Sequence, residues 1–487
     1  MESKSYFLKS YLILILSVFL FLGLREILPE RLFSATPVTG KNMLIDSMLL
    51  DALEQQDLSA TNDQIAEDAK SSPKVVYPET QGLRFPSEKY DDYHGYQYMM
   101  SFFEDLLEHE KSGKGNIRIA YFGDSMTDGD MIVQDFRSNF QQDFGGSGVG
   151  FVSITSESAA SRSSISHQFS NNWKTQSYLN VKYPRKPFGI NGHVFFAADT
   201  SRPAWVNYKG GLRKLTSQLP NPTLFYGRSS NQHGIVRLTS GRDTIIRTLQ
   251  PKSMLNTISF SDAALKSLKA EFVQADSIPL YGFNFDDGVG VHVDNFSQRG
   301  NSGIPISKFD VSLMTAFQQK LDYDLIILHY GTNVLNYGTK SYGWYEKSMT
   351  KTVGRLRQCF PGVPILIVST ADKATKYDME MKTDSAVVPL ASAQRRYALQ
   401  TQSAFVNLYT LMGGDGSMVK WVENETPALA NKDYTHFNYQ GSRKIGRLLY
   451  SQIMDGFTQY KKLRGVPRVT PENRIDSTNT NTASLND

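Results

Sequence analysis

The sequence predicts a three-layer α/β domain built on a parallel sheet, with an all-β segment inserted into it and an apolar segment ahead of it. Five short apolar runs, "NIRIAYF", "GVGVHVDNF", "YDLIILHY", "PILIVST" and "AFVNLY", alternate with stretches of helical periodicity. Strands that alternate with helices build a parallel sheet covered on both faces. Between 151 and 285 the texture changes to short β-branched or aromatic pieces ("HVFFAA", "AWVNY", "TLFYG", "GIVRLTS", "TIIRTL", "KAEFVQA") broken by Gly, Asn, Ser and Pro. That pattern suits a small sandwich.

The elements follow in chain order. Residues 11–24, "YLILILSVFLFLGL", are uncharged and apolar, and counting from Tyr6 the stretch reaches nineteen residues. A membrane-spanning helix needs about 20 residues and a cleavable signal core about 7–15. No small-x-small cleavage site follows, since "REILPERLF" comes next. An uncleaved signal anchor over 1–30 is therefore expected ahead of a cleaved signal peptide, and either places the rest outside the cytoplasm. Residues 31–88 read as a linker holding one amphipathic helix, "NMLIDSMLLDALEQ". The α/β domain opens over 89–150 with the helix "YQYMMSFFEDLLEHEKSG", the first strand and the helix "MIVQDFRSNFQQDFG". It resumes over 286–460 after the insert, and 461–487 reads as a polar, disordered tail.

Composition excludes more than it assigns. The net charge of +4 over 487 residues, with no dense Lys/Arg tract, gives no nucleic-acid signature. Cys359 is the one cysteine, which excludes a disulfide framework, a multi-cysteine metal site and a lipoprotein anchor.

The chemistry gathers at the ends of the strands, where open α/β sheets bind ligands. Ser125 follows the first strand in "GDSMTDGD", at a strand-to-helix turn. The second strand leads into "DNFSQRGNSG", where Gly300 and Gly303 permit a tight turn with bare backbone N–H groups. The third ends in "HYGTN", whose Asn333 amide is a candidate oxyanion donor. Before the last helix stands "KDYTHFN", with Asp433 three residues ahead of His436. Such a carboxylate can hold one imidazole nitrogen while the other faces a serine hydroxyl. Alone, each has a plainer reading: Ser125 and Asp124 as cap or turn residues, Asn333 as a turn residue, Asp433 and His436 as a surface pair or metal ligands. His292 and His329 lie on apolar strands and read as satisfied core histidines.

The four blocks together resemble the GDSL/SGNH hydrolase superfamily. "GDS" matches the nucleophile motif, with Met126 in place of the usual Leu, and "GTN" and "DYTH" match the Asn and Asp-x-x-His blocks. "NFSQRG" matches the glycine block, with "GING" and its Gly192 as a weaker rival inside the β-rich segment. The resemblance covers roughly 115–150 and 287–456. It implies a flavodoxin-like three-layer fold and a serine esterase without metal or cofactor. It further implies Ser125, Asp433 and His436 as catalytic residues, with Ser125, Gly300 and Asn333 as the oxyanion hole.

With an extracytoplasmic anchor and a β-rich insert, the chain resembles the cell-envelope carbohydrate or peptidoglycan O-acetylesterases of that superfamily. The expected partners are an acetylated carbohydrate and the membrane. Two alternatives stand beside this reading: an O-acetyltransferase supplied by a membrane acyltransferase, and a non-catalytic glycan-binding module. Trp173 and Trp205 are candidates for stacking on sugar rings against the plainer reading of core packing, and Trp421 for lining the site.

Overall fold

The computed structural model describes residues 15, 46–58, 85, 93–198, 202–260, 264–337 and 341–465. The chain divides into two compact units, Met1–Leu44 and Ile45–Asp487, and every element named below belongs to the second. Among the described residues no helix is long and apolar enough to cross a membrane, and the apolar segment 6–24 lies outside them apart from residue 15.

All five apolar runs form strands of one sheet: β1 (Asn116–Gly123), β2 (Gly290–Asn295), β3 (Leu325–His329), β4 (Ile365–Val368) and β5 (Ala404–Val406). Every pair is parallel, and the spatial order is β2-β1-β3-β4-β5. This is the flavodoxin-like order, in which the chain reverses its winding direction beside the first strand and leaves a crevice there. The strands are apolar along their length because both faces are covered. Successive side chains of β1 separate accordingly: Ile117, Ile119 and Tyr121 enter one core, Ala120 and Phe122 the other. The first core holds α2 (Met100–Ser112), α3 (Val133–Phe144) and α7 (Tyr439–Leu463). The second holds α4 (Val311–Leu321), α5 (Gly343–Cys359) and α6 (Val387–Gln400).

The insert consists of two antiparallel sheets. One runs Leu255–Ser259, Thr223–Gly227, Leu280–Phe285, His193–Ala197 and Trp173–Ser177, with Gly150–Ser153 also paired to Leu280–Phe285. The other runs Ile165–Phe169, Ala204–Gly210, Ser267–Val273, Ile235–Ser240 and Asp243–Thr248. Val206, Leu238 and Phe272 of the second sheet share a core with Phe195, Leu224 and Phe283 of the first. The opposite face of the first sheet meets α4, where Phe225 stacks on Phe317 at 5.8 Å and Tyr281 meets it edge-on at 5.5 Å. The insert thus shares its apolar interior with the α/β unit.

Both ends of the insert converge on a buried cation. Arg118 of β1, 2% exposed, donates to both carboxylate oxygens of Asp294 on β2 at 2.9 and 3.0 Å and to Asn284 Oδ1 at 3.1 Å, and it pairs with Asp286. Asp294 also accepts from Phe151 N–H at 2.8 Å and Tyr323 O–H at 2.6 Å. Burial alone would raise the Asp286 carboxyl, but the charge of Arg118 overcomes it and holds Asp286 at about 2.

The helix expected within 31–88 forms as α1 (Ser47–Leu58), whose Leu49 is buried in the second core. Two segments differ from the sequence expectation. A hairpin, Ala374–Tyr377 with Glu380–Thr383, follows β4; its turn places Asp378 and Met379 at φ 45° and 74° without the Asn-Gly signature of such turns. Helix α7 carries the chain through Leu463, inside the stretch read as a disordered tail, and residues 466–487 lie outside the described ones.

Arg118→Ala removes the guanidinium charge that balances two buried carboxylates. The expected loss is about 3–5 kcal/mol of unfolding free energy, measured by urea denaturation. A loss below about 1 kcal/mol would show that the cluster does not hold insert and sheet together.

Candidate active site

The site begins where β1 stops. A Cβ at Gly123 would lie 2.1 Å from Thr127 Oγ1, so the chain can fold back tightly there only with glycine. Asp124 is buried and its Oδ1 accepts Met126 N–H at 2.9 Å, which gives it the turn role expected of it. Burial lifts the Asp124 carboxyl to about 6, against the pull of that hydrogen bond and of nearby His436. The turn continues through Asp130, whose left-handed backbone (φ 65°) is held by a two-pronged ion pair with Arg137 at 2.7 and 3.0 Å.

The second loop lies directly on this turn. Asn295, the last residue of β2, donates to Thr127 O at 2.9 Å and Asp130 Oδ1 at 3.1 Å. Gln298 N–H donates to Gly123 O at 3.0 Å, and Arg299 Nε to Asp128 at 2.9 Å. The next residue is Gly300, in a left-handed conformation at φ 75°. Asn333, just past β3, donates its side-chain amide to Asn301 O at 3.1 Å, which leaves its second amide hydrogen available. Among the described residues the N–H groups of Ser125 and Gly300 have no protein acceptor.

The base arrives from the other end of the chain. Ser125 Oγ lies 3.0 Å from His436 Nε2, and His436 Nδ1 lies 2.8 Å from Asp433 Oδ2. The other oxygen of Asp433 accepts the N–H groups of Thr435 and His436, each at 3.0 Å. Burial raises the Asp433 carboxyl, but these hydrogen bonds outweigh it and the net shift is below the ordinary carboxylate range. Asn431 N–H closes the loop on His436 O at 2.9 Å. Hydroxyl, imidazole and carboxylate therefore form one hydrogen-bonded line, the arrangement that activates a serine as nucleophile.

Gly192, the rival glycine, spends its N–H on Gly189 O at 2.9 Å within its own turn. Its neighbour Asn191 accepts Gln298 Nε2 at 2.7 Å, so this turn props the catalytic loop from the insert side.

Sequence reasoning missed the residues that fix the Gly300 loop. Asn301 Nδ2 donates to Tyr178 O–H of the insert at 2.9 Å, and Tyr345 O–H of α5 donates to Ser302 O at 2.7 Å. Asp46, 1% exposed, accepts Ser302 N–H at 3.1 Å, pairs with the Ser302 hydroxyl, and accepts Met48 and Leu49 N–H at 3.0 and 3.2 Å. The signal available for Asp46 was its place before a helix, "IDSMLL", which marks a cap but says nothing of Ser302.

Trp421 does not line the site: it is 2% exposed and packs against Phe437 beneath the His436 loop, with rings 5.5 Å apart. Trp173 donates to Trp205 O at 3.1 Å and meets Phe272 edge-on, while half-buried Trp205 has Lys269 over its ring at 5.6 Å. His329 is satisfied by Tyr121 O–H at 2.8 Å, and burial lowers its pKa to about 3. His292 differs from expectation, since neither ring nitrogen has a hydrogen bond and Asp287 stands 3.4 Å away. Burial, then the charge of Arg118, keeps it neutral.

Residues 276–444 match the GDSL-like Lipase/Acylhydrolase family. The matched segment starts near the end of the insert, so Ser125 lies before it and joins it only in the folded chain. Among solved structures, a peptidoglycan O-acetylesterase is similar at 22% identity and a TM-score of 0.60, over 77% of this chain and 99% of that one. A family two carbohydrate esterase from Cellvibrio japonicus matches at 11% identity and a TM-score of 0.25, over 61% and 99%. No curated protein matches the chain. The fold resembles that of a peptidoglycan O-acetylesterase, and the matched segment is similar to GDSL-like acylhydrolases, which are carboxylic ester hydrolases.

Two substitutions test the loop. Asn333→Ala should lower kcat by about 10²–10³ with little change in KM, since one oxyanion donor is lost. Asp46→Ala should also lower kcat at constant KM by freeing the Gly300 loop, whereas a purely structural role would lower thermal stability and leave kcat per folded molecule unchanged.

Proposed function

We propose that the protein removes O-acetyl groups from a cell-envelope or extracellular carbohydrate through an acyl-enzyme. The observation that carries this is the line from Ser125 through His436 to Asp433, set beside a loop bearing Gly300 and Asn333. Ser125 Oγ attacks the ester carbonyl as His436 takes its proton. The oxyanion is received by the N–H groups of Ser125 and Gly300 and the amide of Asn333. As the C–O bond breaks, His436 returns the proton to the departing sugar hydroxyl. Water then adds to the acyl-enzyme with His436 as base, releasing acetate and free serine.

The carbohydrate assignment is supported by likeness of fold to a peptidoglycan O-acetylesterase over 77% of this chain. The apolar run at 6–24 supports a membrane-anchored, extracytoplasmic placement. Transfer of the acetyl group to a second sugar uses the same intermediate, so acetate release is measured from O-acetylated envelope polysaccharide with and without acceptor sugar. Hydrolysis predicts free acetate in both; transfer predicts acetylated acceptor instead. A protein that binds the glycan and turns over neither it nor an aryl acetate would be a binding module.

Ser125→Ala should reduce kcat by roughly 10⁴–10⁶ and Asp433→Asn by about 10⁴. Near-normal turnover by a folded Ser125→Ala protein would end the serine-esterase reading. Asp433, held below the ordinary carboxylate range, stays anionic at neutral pH. Burial lifts the Asp124 carboxyl to about 6, so the kcat–pH profile should show a step near that value that Asp124→Asn removes.

A further inference from the structure

A second concave surface, a groove of about 610 Å³, lies between the insert and the α/β unit. Lys182, Arg185 and Lys186 of the insert line it together with Lys308, Asp310 and Arg355. Lys182 pairs with Asp51 of α1 at 3.2 Å. Among the described residues Arg185, Lys186, Lys308 and Arg355 have no carboxylate within ion-pair distance. The one carboxylate in the lining, Asp310, caps α4 by accepting Leu313 N–H at 2.8 Å and keeps its charge.

The cations are held by neutral groups. Lys308 Nζ donates to Tyr178 O at 2.8 Å and Val181 O at 3.4 Å, and Arg355 Nη1 to Gln358 Oε1 at 3.1 Å. These contacts orient the charges without neutralising them. The lining holds five cations against the single carboxylate of Asp310, with Asp51 paired to Lys182, and this net positive charge around a concavity focuses the field and favours an anion there. Beside Lys182 stands Tyr183, 85% exposed, in the run "KYPRKPF". An exposed aromatic face next to a cationic groove fits a sugar ring bearing a negative group.

The groove is placed to serve the site. Helix α4 starts where the connection from β2 ends, at the carboxyl edge of the sheet, and that same connection carries Gly300. Lys308 also grips the backbone of Tyr178, whose hydroxyl holds Asn301. We propose that this groove binds the carboxylate or phosphate groups of an acidic glycan strand while Ser125 works on an ester of the same strand. The inference rests on the glycan-esterase reading and narrows its substrate to an acidic polymer. A concave groove continuous with the catalytic connection favours a polymer strand over a membrane surface.

The test uses the full chain and Arg185→Glu/Lys186→Glu, with de-esterified polygalacturonate, uncharged dextran and phosphatidylglycerol vesicles as probes. The wild type should bind polygalacturonate and not dextran, with affinity falling as salt rises. The double variant should bind it at least tenfold more weakly while hydrolysing p-nitrophenyl acetate within twofold of wild type. Unchanged affinity in the double variant, no polygalacturonate binding by the wild type, or binding to vesicles alone would each overturn the proposal. Polymer binding lost on charge reversal, in a protein that releases no acetate from any glycan, would uphold the groove and sink the esterase reading instead.

Discussion

The buried guanidinium of Arg118 is the constraint on which the arrangement depends. It sits on β1, between β2 and β3, and meets Asp294 on β2 and Asn284 and Asp286 at the exit of the insert, while Asp294 also receives the N–H of Phe151 at its entry. A buried charge of this kind tolerates few alternatives, because each partner that moves away leaves an uncompensated ion in low dielectric. The cluster therefore sets where the insert leaves and rejoins the sheet. From that placement follow the contacts of Tyr178 and Asn191 on the catalytic loop.

The loop bearing Gly300 is held from four directions: by the serine turn through Asn295, by the insert through Tyr178, by α5 through Tyr345, and by Asp46 at the start of α1. An oxyanion site works by fixed dipoles that need no rearrangement during the reaction. On the proposed function, rigidity at Gly300 serves the chemistry, and the insert and the amino-terminal helix share in supplying it. A soluble fragment beginning near residue 86 would lack α1 and with it the acceptor for Ser302.

Much of this was legible in the sequence. The five strands read clearly because a doubly covered parallel strand must be apolar throughout, and the order of the Ser, Gly, Asn and His blocks placed the candidate residues at one sheet edge. Spacing favours Gly300 over Gly192, and the turn of Gly192 touches the Gly300 loop through Asn191 and Gln298. What was hidden is non-local or locally misleading. Asp46 looks like any helix cap until Ser302 is set against it. The hairpin at Ala374–Tyr377 and Glu380–Thr383 turns on Asp378 and Met379, residues that give no turn signal. Trp421, a candidate for lining the site, is buried, because the His436 loop folds over it.

The order of the blocks along the chain also governs when the site can exist. Ser125 meets His436 across 311 positions, and β1 cannot pair with β2 until the whole insert has been made. Contacts so distant in sequence carry a large loop-closure cost and form slowly. During synthesis the serine turn emerges early and stays without its base until nearly the whole chain has been made. Hydrolytic power is therefore switched on by completion of the chain, and no truncated product ending before His436 can hold the assembled line of serine, histidine and aspartate.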